Sequence, residues 1–143
     1  MARVEVKMPD AFMDKISKLG DKTDEIVPRV LAAGGDVALA AVRGNLQSVI
    51  GRGTKYPSQS TGELVSALGL APARLDKNGN FNVKVGFREP RSNGDSNAKI
   101  ANILEYGKHG QPPKPFLKPA KAKVRESVTA AMVAKLESEI RGV

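Results

Sequence analysis

The chain has 143 residues, 41% of them hydrophobic and 4% aromatic, and 23 Lys plus Arg against 15 Asp plus Glu give it a formal charge of +8. That size suits one domain with an aliphatic, alanine-rich core, and the charge favours polyanions or acidic protein surfaces as neighbours. Cysteine is absent, histidine occurs once and charges interrupt every apolar run near the N-terminus, which argues against disulfides, Cys-based or zinc sites, a signal peptide and a membrane span, so a cytoplasmic setting, or a particle assembled there, is expected.

Taken in order, residues 2–7 (ARVEVK) alternate as a short strand does. Asp10 can cap a helix over residues 11–19, with Phe12, Ile16 and Leu19 on one side and Gly20 as its stop. A long helix starts at Thr23 or Asp24 and carries a broad apolar face from Ile26 to Ile50. Pro28 is tolerated only in a first turn, so the regular helix should begin close to it. Gly34 and Gly35 interrupt this helix at a cost of about 1 kcal/mol each, which implies either a kink or a close approach of another helix or subunit.

Residues 51–60 then form a polar surface loop, and Ser60 or Thr61 can cap a short helix that turns Leu64, Ala67 and Leu68 inward. Residues 70–87 predict a hairpin: Asn78-Gly79 supplies the positive φ of the turn, and Phe81, Val83, Val85 and Phe87 alternate with polar neighbours. Residues 88–97 look like a mobile polar loop. A helix over residues 98–106 should face Ile100, Ile103 and Leu104 inward, and Gly107 should stop it. After a Gly- and Pro-rich stretch over residues 107–115, Ala120, Val124, Val128, Met132, Leu136 and Ile140 recur at steps of four on a last helix from Pro119 to about Arg141. The expected architecture is α+β: one domain over residues 1–143 whose long N-terminal and C-terminal helices pack on a small antiparallel β-sheet containing the hairpin.

Glu105, Tyr106 and His109 are the groups an enzyme would use near neutral pH. Without a second His or a nucleophile in a named role they do not make a catalytic set, and no catalytic, metal or cofactor-binding residue is assigned. GRGTK and GKHGQ lack the phosphate-loop spacing. Charge is more informative. Lys108, Lys114, Lys118, Lys121, Lys123 and Arg125 follow one another without an acid, although the helix dipole disfavours cations at the N-terminus this segment contains. DNA phosphates or an acidic neighbouring subunit would favour them; a solvated face is the third reading. Few aromatics accompany these cations, so contact with DNA should be non-specific and salt-sensitive.

Two separated motifs carry a resemblance. PSQSTGELVSAL, with Thr61, Gly62, Leu64 and Ser66, resembles the T-G-x-L-x-x-S element of the neck or tail-completion family of long-tailed bacteriophages (siphophages), also described as tail components. ILEYGKHGQPPKPFLKPA, with Glu105, Tyr106, Gly107, Pro115, Phe116, Leu117, Pro119 and Ala120, is similar to that family's E-[YF]-G and [RK]-P-F-L-x-P-A signature, with Lys108 and Lys114 departing from the commoner Thr and Arg. The resemblance implies a non-enzymatic virion part that forms a homo-oligomeric ring, hexameric as one arrangement. It would sit at the head–tail junction between head-closure and tail-terminator or tail-tube proteins, where genomic DNA passes, with no membrane involved. The competing reading is a free-standing basic nucleic-acid-binding protein.

Overall fold

The computed structural model describes residues 3–7, 20–50, 62–90 and 94–141. The helix expected over residues 11–19 and the loop over residues 51–60 lie outside them. Strand β1 (Val4–Lys7) is followed by a 3-10 turn (Gly20–Lys22), helix α1 (Thr23–Val49), helix α2 (Glu63–Ala67), strands β2 (Leu68–Leu70), β3 (Arg74–Leu75) and β4 (Phe81–Phe87), helix α3 (Asn97–Tyr106) and helix α4 (Leu117–Arg141). The α+β expectation stands: two long helices accompany a small antiparallel sheet.

Strand β4 is the centre of the sheet. Its Val85 faces Val4 of β1 on one side and Leu70 of β2 on the other, and β3 continues the β2 side. Between β2 and β3 the register shifts by one residue, from Leu70↔Val85 to Arg74↔Asn82, so this side of the hairpin is bent. The predicted hairpin is present, but its turn is built differently. Residues 76–80 make it, with the Asp76 carboxylate accepting from the N–H groups of Asn78 (2.8 Å) and Asn80 (3.0 Å). Only Gly79 takes a positive φ, because the Asp76 side chain does the work expected of a left-handed Asn78. The Asn80 N–H, joined by the Asn78 N–H and the charge of Lys7, holds the Asp76 pKa below its ordinary value despite some loss of hydration.

Period-two alternation puts Val4, Val6, Val83 and Val85 on one face of the sheet, where α1 crosses it. Helix α4 runs antiparallel along α1, as three cross-contacts show: Arg29 Nη1 donates to Glu139 Oε2 at 2.9 Å, Gly34 lies against Met132, and Asn45 Nδ2 donates to the Phe116 carbonyl at 3.3 Å. Being covered on two sides widens the buried face of α1. Ile26 and Val27, Val30 and Leu31, and Gly34 and Gly35 are buried as adjacent pairs, whereas only Ala38, Val42 and Leu46 continue the stripe.

The two glycines have separate reasons. A Cβ at Gly34 would lie 2.7 Å from Met132 Cγ of α4, and one at Gly35 would lie 2.7 Å from Leu70 Cδ1 of the sheet. Close approach within the chain therefore accounts for them. Pro28 departs from expectation: α1 begins five residues before it, at Thr23, so the proline sits in the second turn and leaves the Asp24 carbonyl without its helical N–H. Gly62, at φ 79°, precedes helix α2; Ser60 and Thr61, the caps expected for it, lie outside the described residues, and Leu64, Ala67 and Leu68 are buried as expected.

Candidate interaction site at the α3–α4 junction

The described part of residues 88–97, expected as a mobile polar loop, is hydrogen-bonded to the start of α3. The Ser96 side chain caps α3 by accepting from the Lys99 N–H at 3.2 Å. Behind it, the Glu89 carboxylate accepts from the backbone N–H groups of Asn97 and Ala98 and from the Ser96 hydroxyl, while the buried Asn97 amide donates to the Arg88 carbonyl at 2.7 Å. One carboxylate thus satisfies the orphan donors of a helix start and favours its positive dipole end. The inward residues of α3 are Asn97, Ala101 and Glu105. Ile100 and Leu104 are half-buried at the core edge, and Ile103 turns to a shallow surface groove with Tyr106. A ten-residue helix docked beside α2 and the end of β4 buries only a narrow stripe.

At the other end of α3 the same device recurs. Glu105 is buried, and its carboxylate accepts from the N–H groups of Phe116 (2.8 Å), Leu117 (2.9 Å) and Lys118 (2.9 Å) at the start of α4. The next residue is Pro119, which has no N–H to offer, so every orphan donor of this helix start is accounted for. Helix α4 begins at Leu117, two residues earlier than expected, because that cap fixes its first turn. Between the two helices the chain reverses at Gly107, whose φ of 76° and tight surroundings exclude a side chain: a Cβ would lie 2.8 Å from the Gln111 carbonyl oxygen.

Lys108 and Gln111 then exchange backbone hydrogen bonds (3.0 and 2.9 Å) around His109 and Gly110, and the Lys114 N–H donates to the Leu104 carbonyl. Part of the connector is therefore a tight reversal over residues 108–111. Phe116 is fully buried and meets Phe87 edge to face at 6.2 Å.

This geometry sorts the sequence candidates. Glu105, Gly107, Phe116, Leu117, Pro119 and Ala120 build the junction. Of the acid–base trio, Glu105 is engaged as a helix cap, whereas Tyr106, 69% exposed, and His109 face outward from the loop side. Gly62, Leu64 and Ser66 belong to α2 and its start, where the Ser66 hydroxyl donates to the Glu63 carbonyl; Thr61 is outside the described residues. Pro115 is exposed ahead of the cap.

The six basic residues do not form one patch. Lys118, Lys121 and Arg125 share a helix face at steps of three and four, a stripe about 10 Å long, whereas Lys123 points about 160° away and Lys108 sits in the reversal. Lys114 is half-buried. Lys108, Lys118, Lys121, Lys123 and Arg125 are exposed and form no ion pair among the described residues. The anion that the α4 dipole favours is Glu105, supplied from α3 and invisible in the local sequence. Asn45, Glu89 and Asn97 also went unnoticed in the sequence; the Ser96-to-Lys99 spacing is a cap signal, but nothing local links it to Glu89.

Among the described residues no group of three or more His, Cys, Asp or Glu could hold a metal ion, and no helix is long and apolar enough to cross a membrane. Residues 10–107 match the family described as "Bacteriophage HK97-gp10, putative tail-component". The match ends at Gly107, so it includes the E-Y-G element and not the residues from Pro115 to Ala120. No curated protein and no solved structure matches the chain. With well over half of its length matched, the chain belongs to the HK97 gp10-like family of phage tail components.

Proposed function

We propose that the chain, acting as one unit over residues 1–143, is a structural part of the phage neck that works by assembly rather than chemistry. Copies form a ring between the head-closure and tail-terminator proteins, complete the tail and leave a passage for DNA. The observation that carries this reading is the exposed stripe of Lys118, Lys121 and Arg125 on a helix whose start is clamped by Glu105. Cations held on a rigid element, with no ion pair among the described residues, suit a surface that DNA slides past, since phosphate contacts bind without reading sequence. Tyr106, large, amphipathic and exposed beside the reversal at Lys108, suits a contact with the next subunit, where tyrosine is enriched.

Electron microscopy of the purified protein, alone and mixed with tail tubes or terminator, tests the assembly. The expected result is a ring, or a ring-shaped cap on the tube; a monomer that ignores both and binds DNA tightly would favour the free-standing basic protein instead. The triple variant Lys118→Glu, Lys121→Glu, Arg125→Glu should still assemble while the dependence of DNA binding on salt flattens by about three in log–log slope. Loss of assembly in that variant would instead assign the stripe to an acidic protein neighbour.

A further inference from the structure

The face of the sheet turned away from α1 has a feature the neck reading does not use. Gly69 of β2 and Gly86 of β4 are direct cross-strand partners, and both fall on this outer face between inward residues of their strands. Glycine in a strand interior weakens it, and it is normally retained where another backbone or a ligand must come close. Gly34 and Gly35 have that excuse inside the chain; Gly69 and Gly86 do not, since a Cβ on either would meet no described atom within 4 Å. The result is a mainly apolar groove of about 480 Å³, floored by the glycine pair and walled on one side by Ala98.

Its rim is basic. Arg3, Lys84 and Arg88 line the groove, and none of them forms an ion pair among the described residues. Two carboxylates belong to the same region, Glu89 in the lining and Glu5 opposite Lys84 across β1 and β4, and both are engaged: Glu89 holds the start of α3, and Glu5 turns to Lys7 at 3.8 Å. An apolar floor without side chains, beside three cations that have no ion pair among the described residues, fits one kind of occupant. We infer that this outer sheet face docks an acidic segment of another protein, with one aromatic or large aliphatic side chain of that segment lying over Gly69 and Gly86 and its carboxylates meeting Arg3, Lys84 and Arg88. A second copy of this strongly basic chain is the electrostatically poorer occupant.

The inference is independent of ring formation, because it concerns the opposite side of the sheet from α4 and can be tested on the isolated chain. The probe is a short blocked peptide with one phenylalanine among glutamates, titrated into isotope-labelled full-length protein and followed by amide chemical shifts. Control peptides replace the phenylalanine by alanine or the glutamates by lysines, and a short DNA duplex serves as a polyanion without an apolar anchor. Shifts should cluster at Gly69, Gly86 and Arg88, and both control peptides should fail to produce them. The variant Gly86→Thr should keep or raise Tm, because a β-branched residue suits an open strand position, yet weaken peptide binding about tenfold by filling the floor. Four results would overturn the inference: no localised shifts, a lowered Tm in Gly86→Thr, duplex DNA moving the same amides as strongly, or the same amides moving with protein concentration alone.

Discussion

Removing the Glu105 carboxylate should loosen the start of α4 more than any charge change on its surface. In Glu105→Ala the N–H groups of Phe116 and Leu117 lose their acceptor in buried positions, while that of Lys118 lies close enough to water to be rehydrated. A buried donor left unsatisfied costs about 1–3 kcal/mol, so two cost about 2–6. Loss of the anion at the positive end of the helix adds about 0.3–1 kcal/mol, and relief of the carboxylate's own desolvation offsets part of the total. The expected net loss is about 3 kcal/mol, which for a domain of this size lowers Tm by about 10 °C. Glu105→Gln keeps one carbonyl acceptor without the charge and should lose about half as much. Urea unfolding followed by far-UV circular dichroism gives the energies, and hydrogen exchange gives the location: the amides of Phe116, Leu117 and Lys118 should lose protection before those of α1. A loss below about 1 kcal/mol in Glu105→Ala, with those amides still protected, would refute the view that this carboxylate joins the two helices.

Glycine-to-alanine exchanges along α1 should differ in sign. Gly44→Ala should stabilise by about 0.5–1 kcal/mol, because Gly44 is exposed and a Cβ there meets no described atom. Gly35→Ala and Gly34→Ala should each destabilise by about 1–2 kcal/mol, because the new Cβ would press on Leu70 and the branched Val83 in the first and on the buried Met132 and the branched Val128 in the second. The same sign at Gly44 as at Gly34 and Gly35 in chemical denaturation would contradict the packing described. At the far end of the helix pair, partial desolvation raises the Glu139 pKa, but the hydrogen bond and charge of Arg29, with the charge of Lys135, outweigh it and leave the pKa lowered. A carboxyl whose folded pKa is below its unfolded value stabilises above the unfolded pKa and loses that stability as pH falls through the folded one. Wild type should therefore lose more Tm than Glu139→Gln as the pH drops below about 4.5, and parallel pH profiles would show that the Arg29 pair contributes nothing.

Much of the architecture follows from local pattern. Alternation at Val83 and Val85 marked the central strand, the apolar stripes marked α1 and α4, and Gly107 marked the end of α3. The misplacements share a cause. Pro28 inside α1 and the α4 start at Leu117 run against local rules: α1 is held by the sheet on one side and α4 on the other, and α4 is held by Glu105. Ile103 fits an inward helical position by spacing, yet the small contact face of α3 leaves it at the surface.

The sequence by itself determined the α+β class, the order of the elements, the basic character of the stretch from Lys108 to Arg125 and, through its paired motifs, the family. All of these rest on residue type and short spacing, which the chain carries without folding. Only the tertiary structure decided what the motif residues do. Glu105 stands eleven residues before Phe116, Gly34 lies far from Met132, and Gly69 meets Gly86 across the hairpin; each relation is created when distant backbone segments are brought within a few ångströms. Hydrogen-bond satisfaction and close packing act at that range, so a glutamate that resembled one of three acid–base groups became the cap that joins two helices.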